Sequence, residues 1–192
     1  MDIEREENMA QEREDTVLLS DFRYSEVLCK FQDVVDAEFK FDFDDQYVFR
    51  TVVNNPPDDK DTLPKHRRQE LESGIPYEFQ FSEEEIAEMS YKNKKDQVTR
   101  EAMSVHKSLE KAKSEAIRAY RKQKEKFGDE AAQRFIVERG CYIARLCITK
   151  ETGIMTDFHR TTKHANVLLK NGVSMNDILD PSFEIVKFSY PE

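Results

Sequence analysis

The chain has 192 residues, of which 38% are hydrophobic and 36% charged, and its formal net charge is −9. The apolar share is lower and the charged share higher than in most globular chains, which predicts one domain with a modest core. Five Gly, six Pro and no Trp exclude collagen-like and Pro/Gly-rich low-complexity chains. No stretch approaches the roughly eighteen apolar residues that a membrane helix needs, so we expect no membrane partner.

The N-terminal segment and the cysteines indicate a cellular compartment. The start MDIEREENMAQERED is acidic and has no apolar core, so we expect no secretory signal. The three cysteines, Cys29, Cys141 and Cys147, are an odd number without a metal-binding spacing. This pattern predicts a reducing compartment, cytoplasmic or nuclear, with no disulfide framework, metal site or cofactor.

Composition divides the chain into segments. Residues 1–15 carry seven acids and two arginines among few apolar groups, which predicts a disordered acidic arm. Residues 16–192 are predicted to form a single α+β domain. Within it, Pro56 and Pro57 among acids predict a linker over 54–64, and a helical body is expected over 82–172.

Two stretches alternate as strands do. Phe39, Phe41 and Phe43 alternate with polar residues, and Tyr47 and Phe49 follow after three residues that could form a turn. This predicts a hairpin over 38–53. A second alternating stretch predicts a C-terminal strand over 183–190, and a small antiparallel sheet of about three strands.

A long helix is predicted from 82 to 127. Ser82 and Glu85 fit a capping box at its start, and no Gly or Pro occurs before Gly128. Small and apolar residues then recur at alternating spacings of four and three, which is typical of a coiled-coil seam. The residues predicted to form this helix interface are Val98, Ala102, Val105, Leu109, Ala112 and Ala116.

Three further helices complete the predicted fold. A short helix precedes Gly74, a nearly all-apolar stretch from 131 to 148 predicts a buried central helix, and residues of about 156–170 predict a shorter third helix. The fold class is therefore α+β, mainly α, with the small sheet packed at one end.

Charge is sorted along the chain. Residues 1–91 hold 10 Lys and Arg against 25 Asp and Glu, a net charge of −15, and residues 92–170 hold 19 against 10, a net charge of +9. Such asymmetry is a signal for a polyanionic partner, although a solvated helix face or pairing with the acidic part explains it as well. The candidate nucleic-acid-binding residues are Lys107, Lys111, Arg118, Arg121, Lys122 and Lys124.

Sequence motifs for catalysis are absent. There is no Gly-rich nucleotide loop, no GxSxG and no HExxH, so we predict no catalytic residues. Glu138 and Arg139 lie unexpectedly within the apolar stretch 131–148. An internal ion pair explains them, and an unfamiliar enzyme site near Glu138, Tyr142 and Arg145 is the alternative.

Two functions follow from these patterns. The first is a non-enzymatic interaction or assembly protein that binds a partner, or a second copy, through the seam of helix 82–127. The alternative is a nucleic-acid-associated factor that contacts DNA or RNA through the basic region 92–170, with the acidic arm as a competitor.

Overall fold

The computed structural model describes residues 18–192, and the predicted acidic arm 1–15 lies outside the described residues. The described part of the chain contains an antiparallel sheet of seven strands. The strands are β1 (Phe39–Lys40), β2 (Gln46–Val52), β3 (Met103–His106), β4 (Tyr142–Ile148), β5 (Gly153–Thr156), β6 (His164–Leu169) and β7 (Val186–Lys187). Their order across the sheet is β1-β5-β6-β3-β2-β4-β7.

Helices fill most of the intervening segments. They are α1 (Ser25–Leu28), α2 (Gln32–Glu38), α3 (Lys65–Ser73), α4 (Glu83–Glu88), α5 (Tyr91–Arg100), α6 (Leu109–Phe127), α7 (Asp129–Arg139) and α8 (Met175–Ile178). α6 and α7 are neighbours joined only by Gly128, and they pack against each other.

The main helices share one face of the sheet. α6 buries Ala112 and Ala116 against Ile143 of β4, while α1, α2 and α5 cover the other end of this face at Ile154 and Leu168. The opposite face is covered by α8 and loop residues that pack on the buried side chains of β2, β3, β4 and β6. A two-layer core of this kind buries apolar side chains on both sides of the central strands.

The predicted helix over 82–127 is wrong. The segment contains α4, α5, strand β3 and α6, with new helix starts at Ser90 and Ser108, whose side chains cap α5 and α6. β3 lies between β6 and β2 at the centre of the sheet. Local helix propensity is a weak preference, and pairing with two neighbouring strands overrides it here.

The predicted central helix over 131–148 is right only as far as Arg139, and the predicted third helix over about 156–170 is wrong. α7 ends at Arg139, and the apolar residues after Gly140 form β4, which has buried side chains on both faces and therefore shows no alternation in the sequence. The predicted third helix is replaced by β6, which pairs with β3 and β5. A short apolar stretch does not distinguish a buried strand from a buried helix.

The predicted small sheet is wrong in size and pairing. β1 pairs with β5 and β2 pairs with β3 and β4, so residues 38–53 form no hairpin. A strand does lie in the C-terminal segment, but β7 has two residues and pairs with β4. The mainly α fold class is corrected to helices on a substantial antiparallel sheet, because strands from four distant segments complete it.

Several helix ends match the sequence signals. Ser82 and Glu85 form the predicted capping box of α4, and Gly74, in the left-handed region, ends α3. Residues 54–64 include a short 3-10 helix (Asp59–Thr62) in which the carboxylate of Asp61 is buried and accepts the backbone N–H of Val53 at 2.7 Å.

No helix within residues 18–192 is both long enough and apolar enough to cross a bilayer.

Candidate functional site

The longest helix, α6, presents a basic face. Its inner side is formed by Ala112, Ala116 and Tyr120, which are buried against the sheet and the C-terminal segment. Ser108 caps its first turn by accepting the backbone N–H of Lys111 at 3.1 Å. Since this inner side packs on the core, the charged residues of α6 lie on its outer and lateral sides.

Four of the six candidate nucleic-acid-binding residues lie together on this outer face. Lys111, Arg118 and Lys122 are spaced by seven and four residues, and Arg121 lies three residues from Arg118, so helical geometry places them on one side. Arg118, Arg121 and Lys122 are exposed and line a shallow depression together with Ser114, Ile117 and Glu125. Lys111 to Lys122 spans about 16 Å along the helix.

Two acids, Glu115 and Glu125, lie beside these cations, and among the described residues only Glu115 forms an ion pair with one of them. Arg118 donates to Glu115 at 2.8 and 2.9 Å. Lys111, Arg121 and Lys122 form no ion pair with any residue that the structure describes. Three cations of this face are therefore free to meet an external anion.

The other two candidates lie elsewhere. Lys107 precedes α6, and its ammonium lies 5.8 Å from the ring centroid of Phe158. Lys124 lies on the flank of α6 with its Nζ 3.6 Å from a carboxylate oxygen of Asp129. Both are therefore partly engaged within the chain.

The six residues predicted as a helix interface do not form one surface. Val98 lies in α5, Val105 in β3, and Ala112 in α6, and each is packed in a different part of this chain's own core. Ala102, Leu109 and Ala116 are likewise buried or packed against the core. These side chains therefore offer no exposed seam, and the prediction of a protein partner stays untested.

The three residues of the alternative enzyme site are not brought together. Glu138 lines a pocket and pairs with Lys65 at 3.4 Å. Arg145 donates to Asp180 at 2.6 Å, and its guanidinium lies over the rings of Tyr47 and Phe183. Neither Tyr142 nor Arg145 lines the pocket that contains Glu138.

Three arginines lie around that pocket, of which sequence reasoning singled out Arg139, together with Glu138, and missed Arg50 and Arg68. Arg50 comes from β2, Arg68 from α3 and Arg139 from the end of α7. Their positions in the chain are too far apart for any spacing rule to connect them. The only local signal is a charged residue, Arg50 or Arg139, inside an otherwise apolar stretch.

A polar group lies on the helix-facing side of β3 and β6. Ser104 Oγ is 2.6 Å from His164 Nε2, and the rings of His106 and His164 are 5.4 Å apart. Burial, together with the nearby charges of His164 and Arg139, lowers the pKa of His106 to about 3. Burial and, to a smaller extent, the positive charge of Arg139 also lower the pKa of His164. Both imidazoles are therefore neutral at pH 7.

No group of three or more His, Cys, Asp or Glu side chains within residues 18–192 is arranged to hold a metal ion. Comparison of the chain with known protein families, curated proteins and solved structures found no match.

Proposed function

We propose that this protein binds the sugar-phosphate backbone of nucleic acid through the outer face of α6. The observation that carries the proposal is the row of Lys111, Arg121 and Lys122, which share one side of the helix with Arg118 and have no acidic partner among the described residues. A row of free cations binds phosphates and releases their counterions.

The dimensions of the face suit this partner. The row spans about 16 Å, which corresponds to roughly five base pairs at 3.4 Å each. Lysine and arginine contacts to phosphate give affinity without base readout. We therefore expect binding that is independent of sequence and strongly dependent on salt.

The central test is charge reversal on α6, measured by fluorescence anisotropy with labelled duplex DNA and single-stranded RNA. The variant R118E/R121E/K122E should bind at least about tenfold more weakly than the unmodified chain at about 50 mM salt. Each lost phosphate contact should also reduce the slope of log K against log salt by about 0.9 for duplex DNA.

The control of equal charge reverses three exposed lysines away from α6: Lys40 and Lys150, which pair with Asp157 and Asp42, and Lys187. It changes the net charge by the same amount, so it separates a local face from a general charge effect. We expect a loss in affinity of less than about threefold. Equal losses in the two variants, or no binding to either nucleic acid at low salt, would contradict the proposal.

The acidic N-terminal segment is proposed as a competitor for the same face. Residues 1–15 carry seven acids, so replacing these acids by amides in the full chain should tighten binding, most of all at low salt. Unchanged affinity at every salt concentration would remove the competitor from the proposal and leave the α6 contact intact.

A further inference from the structure

A buried arginine fills a gap between two central strands. β2 pairs with β3 only at Phe49 and His106, whereas β3 pairs with β6 at four positions. Beyond this point the guanidinium of Arg50 lies between the strands. It donates from Nη1 to the carbonyl of Ser104 at 2.6 Å, from Nε to Asp61 at 2.6 Å and from Nη2 to Leu63 at 3.0 Å. All three acceptors are neutral carbonyl oxygens.

This gap opens into a cavity of about 310 Å³. Arg50, Arg68 and Arg139 line it, with Lys60 and Lys65 also on its wall. The volume is at the small end of the range of about 300 to 1,000 Å³ that ligand pockets occupy. Apolar wall is supplied by Val53, Leu63, Pro64, Ala102, Phe135 and Val137.

Among the described residues, no acid on the wall forms an ion pair with any of the three arginines. The carboxylate of Asp61 accepts backbone N–H groups of Val53 and Asp58, and Glu138 pairs with Lys65. Five cations and three acids line the cavity, the third acid being Glu72, which forms no ion pair with a described residue. The cavity wall therefore carries an excess of positive charge.

Two of the arginines have donors to spare. Arg68 donates from Nη1 to the carbonyl of Glu138 at 2.6 Å, but its buried Nε has no hydrogen-bond partner among the described residues. The buried Nε of Arg139 has none either, and the structure shows no hydrogen bond or ion pair of the Arg139 side chain within residues 18–192.

The arrangement is costly for the folded chain by itself. Burial, together with the neighbouring positive charges of Arg68 and Arg139, lowers the pKa of Arg50 to about 9, although the charge of Asp61 offsets part of this effect. Burial also lowers the pKa of Arg139. Buried charges and unsatisfied donors each cost free energy unless an acceptor of opposite charge meets them.

We propose that this cavity is a binding site for a small phosphate monoester, with the phosphate held by Arg68 and Arg139. Guanidinium groups from two different elements, Arg68 of α3 and Arg139 of α7, line the cavity, and Lys60 and Lys65 lie on its wall as well. This suits the three oxygens and near-double negative charge of a phosphate better than a planar carboxylate, which one arginine satisfies side-on. The apolar wall then contacts the organic part of the ligand. The site is independent of the α6 face.

Calorimetric titration with phenyl phosphate tests the site, with benzoate and inorganic phosphate as comparison ligands in a phosphate-free buffer. We expect phenyl phosphate to bind, inorganic phosphate to bind more weakly and benzoate to bind at least about tenfold more weakly than phenyl phosphate. Arg139→Gln should reduce phenyl phosphate affinity at least about tenfold. Arg134→Gln, an exposed arginine on the same helix paired with Glu130, should leave it unchanged.

Thermal unfolding separates a ligand-binding arginine from a structural one. Without phosphate, Arg139→Gln should melt at the same or a higher temperature than the unmodified chain, because it removes an unpaired buried charge. The rise in melting temperature on adding phenyl phosphate should disappear in this variant. If Arg139→Gln does not fold, the buried charge of Arg139 does not destabilise the unliganded chain as proposed, and Arg68→Gln then provides the binding test.

Three results would overturn the proposal. Phenyl phosphate that fails to bind at millimolar concentration would remove the site. Equal affinity for benzoate and phenyl phosphate would make it a carboxylate site. Unchanged affinity in both Arg139→Gln and Arg68→Gln would place the ligand elsewhere. Charge reversal on α6 leaves these arginines in place, so the two proposals fail separately.

Discussion

Replacing Gly140 by alanine should destabilise the protein by about 4 kcal/mol or more. Gly140 ends α7 with φ +82° and ψ 172°, a conformation that is essentially restricted to glycine. A Cβ atom at this position would lie 2.1 Å from the carbonyl oxygen of Val52 and 2.7 Å from the Cα of Val53. Both neighbours are backbone at the end of β2, so no side chain can rotate away to relieve the contact.

Gly128 offers a matched control for this substitution. It has nearly the same backbone conformation, φ +83° and ψ −175°, but a Cβ atom there would meet nothing within 4 Å. Gly128→Ala should therefore cost only the backbone strain, about 1 to 3 kcal/mol. Urea denaturation measures the loss of unfolding free energy in both variants, and the difference between the two losses gives the cost of the contact with β2. If the two variants lose equal stability, α7 and β2 do not approach as closely as described.

Acid should destabilise the protein through His106, with a loss of about 2 kcal/mol between pH 7 and pH 5 from this residue alone. His106 is 4% exposed, and burial lowers its pKa to about 3 from an ordinary value of 6.5. Because the folded-state pKa is the lower one, the unfolded chain binds the extra proton between these values. The contribution of His106 is therefore complete above about pH 6.5 and is lost as the pH falls towards 3.

Urea denaturation of His106→Gln at pH 7 and pH 5 checks this expectation. The variant has no imidazole to protonate at this position, so the difference in its unfolding free energy between the two pH values should be smaller by about 2 kcal/mol. His159→Gln, at an exposed position, should keep the pH dependence of the unmodified chain even if losing its turn hydrogen bonds lowers stability overall. An unchanged pH dependence in His106→Gln would contradict the pKa shift.

The sequence by itself determined three of the helix ends. Ser82 with Glu85, Gly74 and Gly128 are each read correctly because caps and left-handed termini depend on atoms within a few residues. It also placed Lys111, Arg118, Arg121 and Lys122 on one side of a helix, since α6 is regular over all four residues.

The tertiary structure alone decided which apolar stretches are strands. β4 has buried side chains on both faces, and β3 is paired with a neighbouring strand along both edges. Such strands lack the alternation of apolar and polar residues that marks a half-buried strand. The apparent seam from Val98 to Ala116 combined residues of α5, β3 and α6. Their spacing in the sequence matches a heptad repeat, but they do not belong to one helix.

The arginine-lined cavity also depends on the tertiary structure. Arg50, Arg68 and Arg139 come from a strand and two helices, and they meet only because β2 and β3 separate beyond Phe49 while Gly140 lets α7 end against β2. Local sequence specifies conformations a few residues long. Long-range pairing of strands decides where a buried charge lies and what surrounds it.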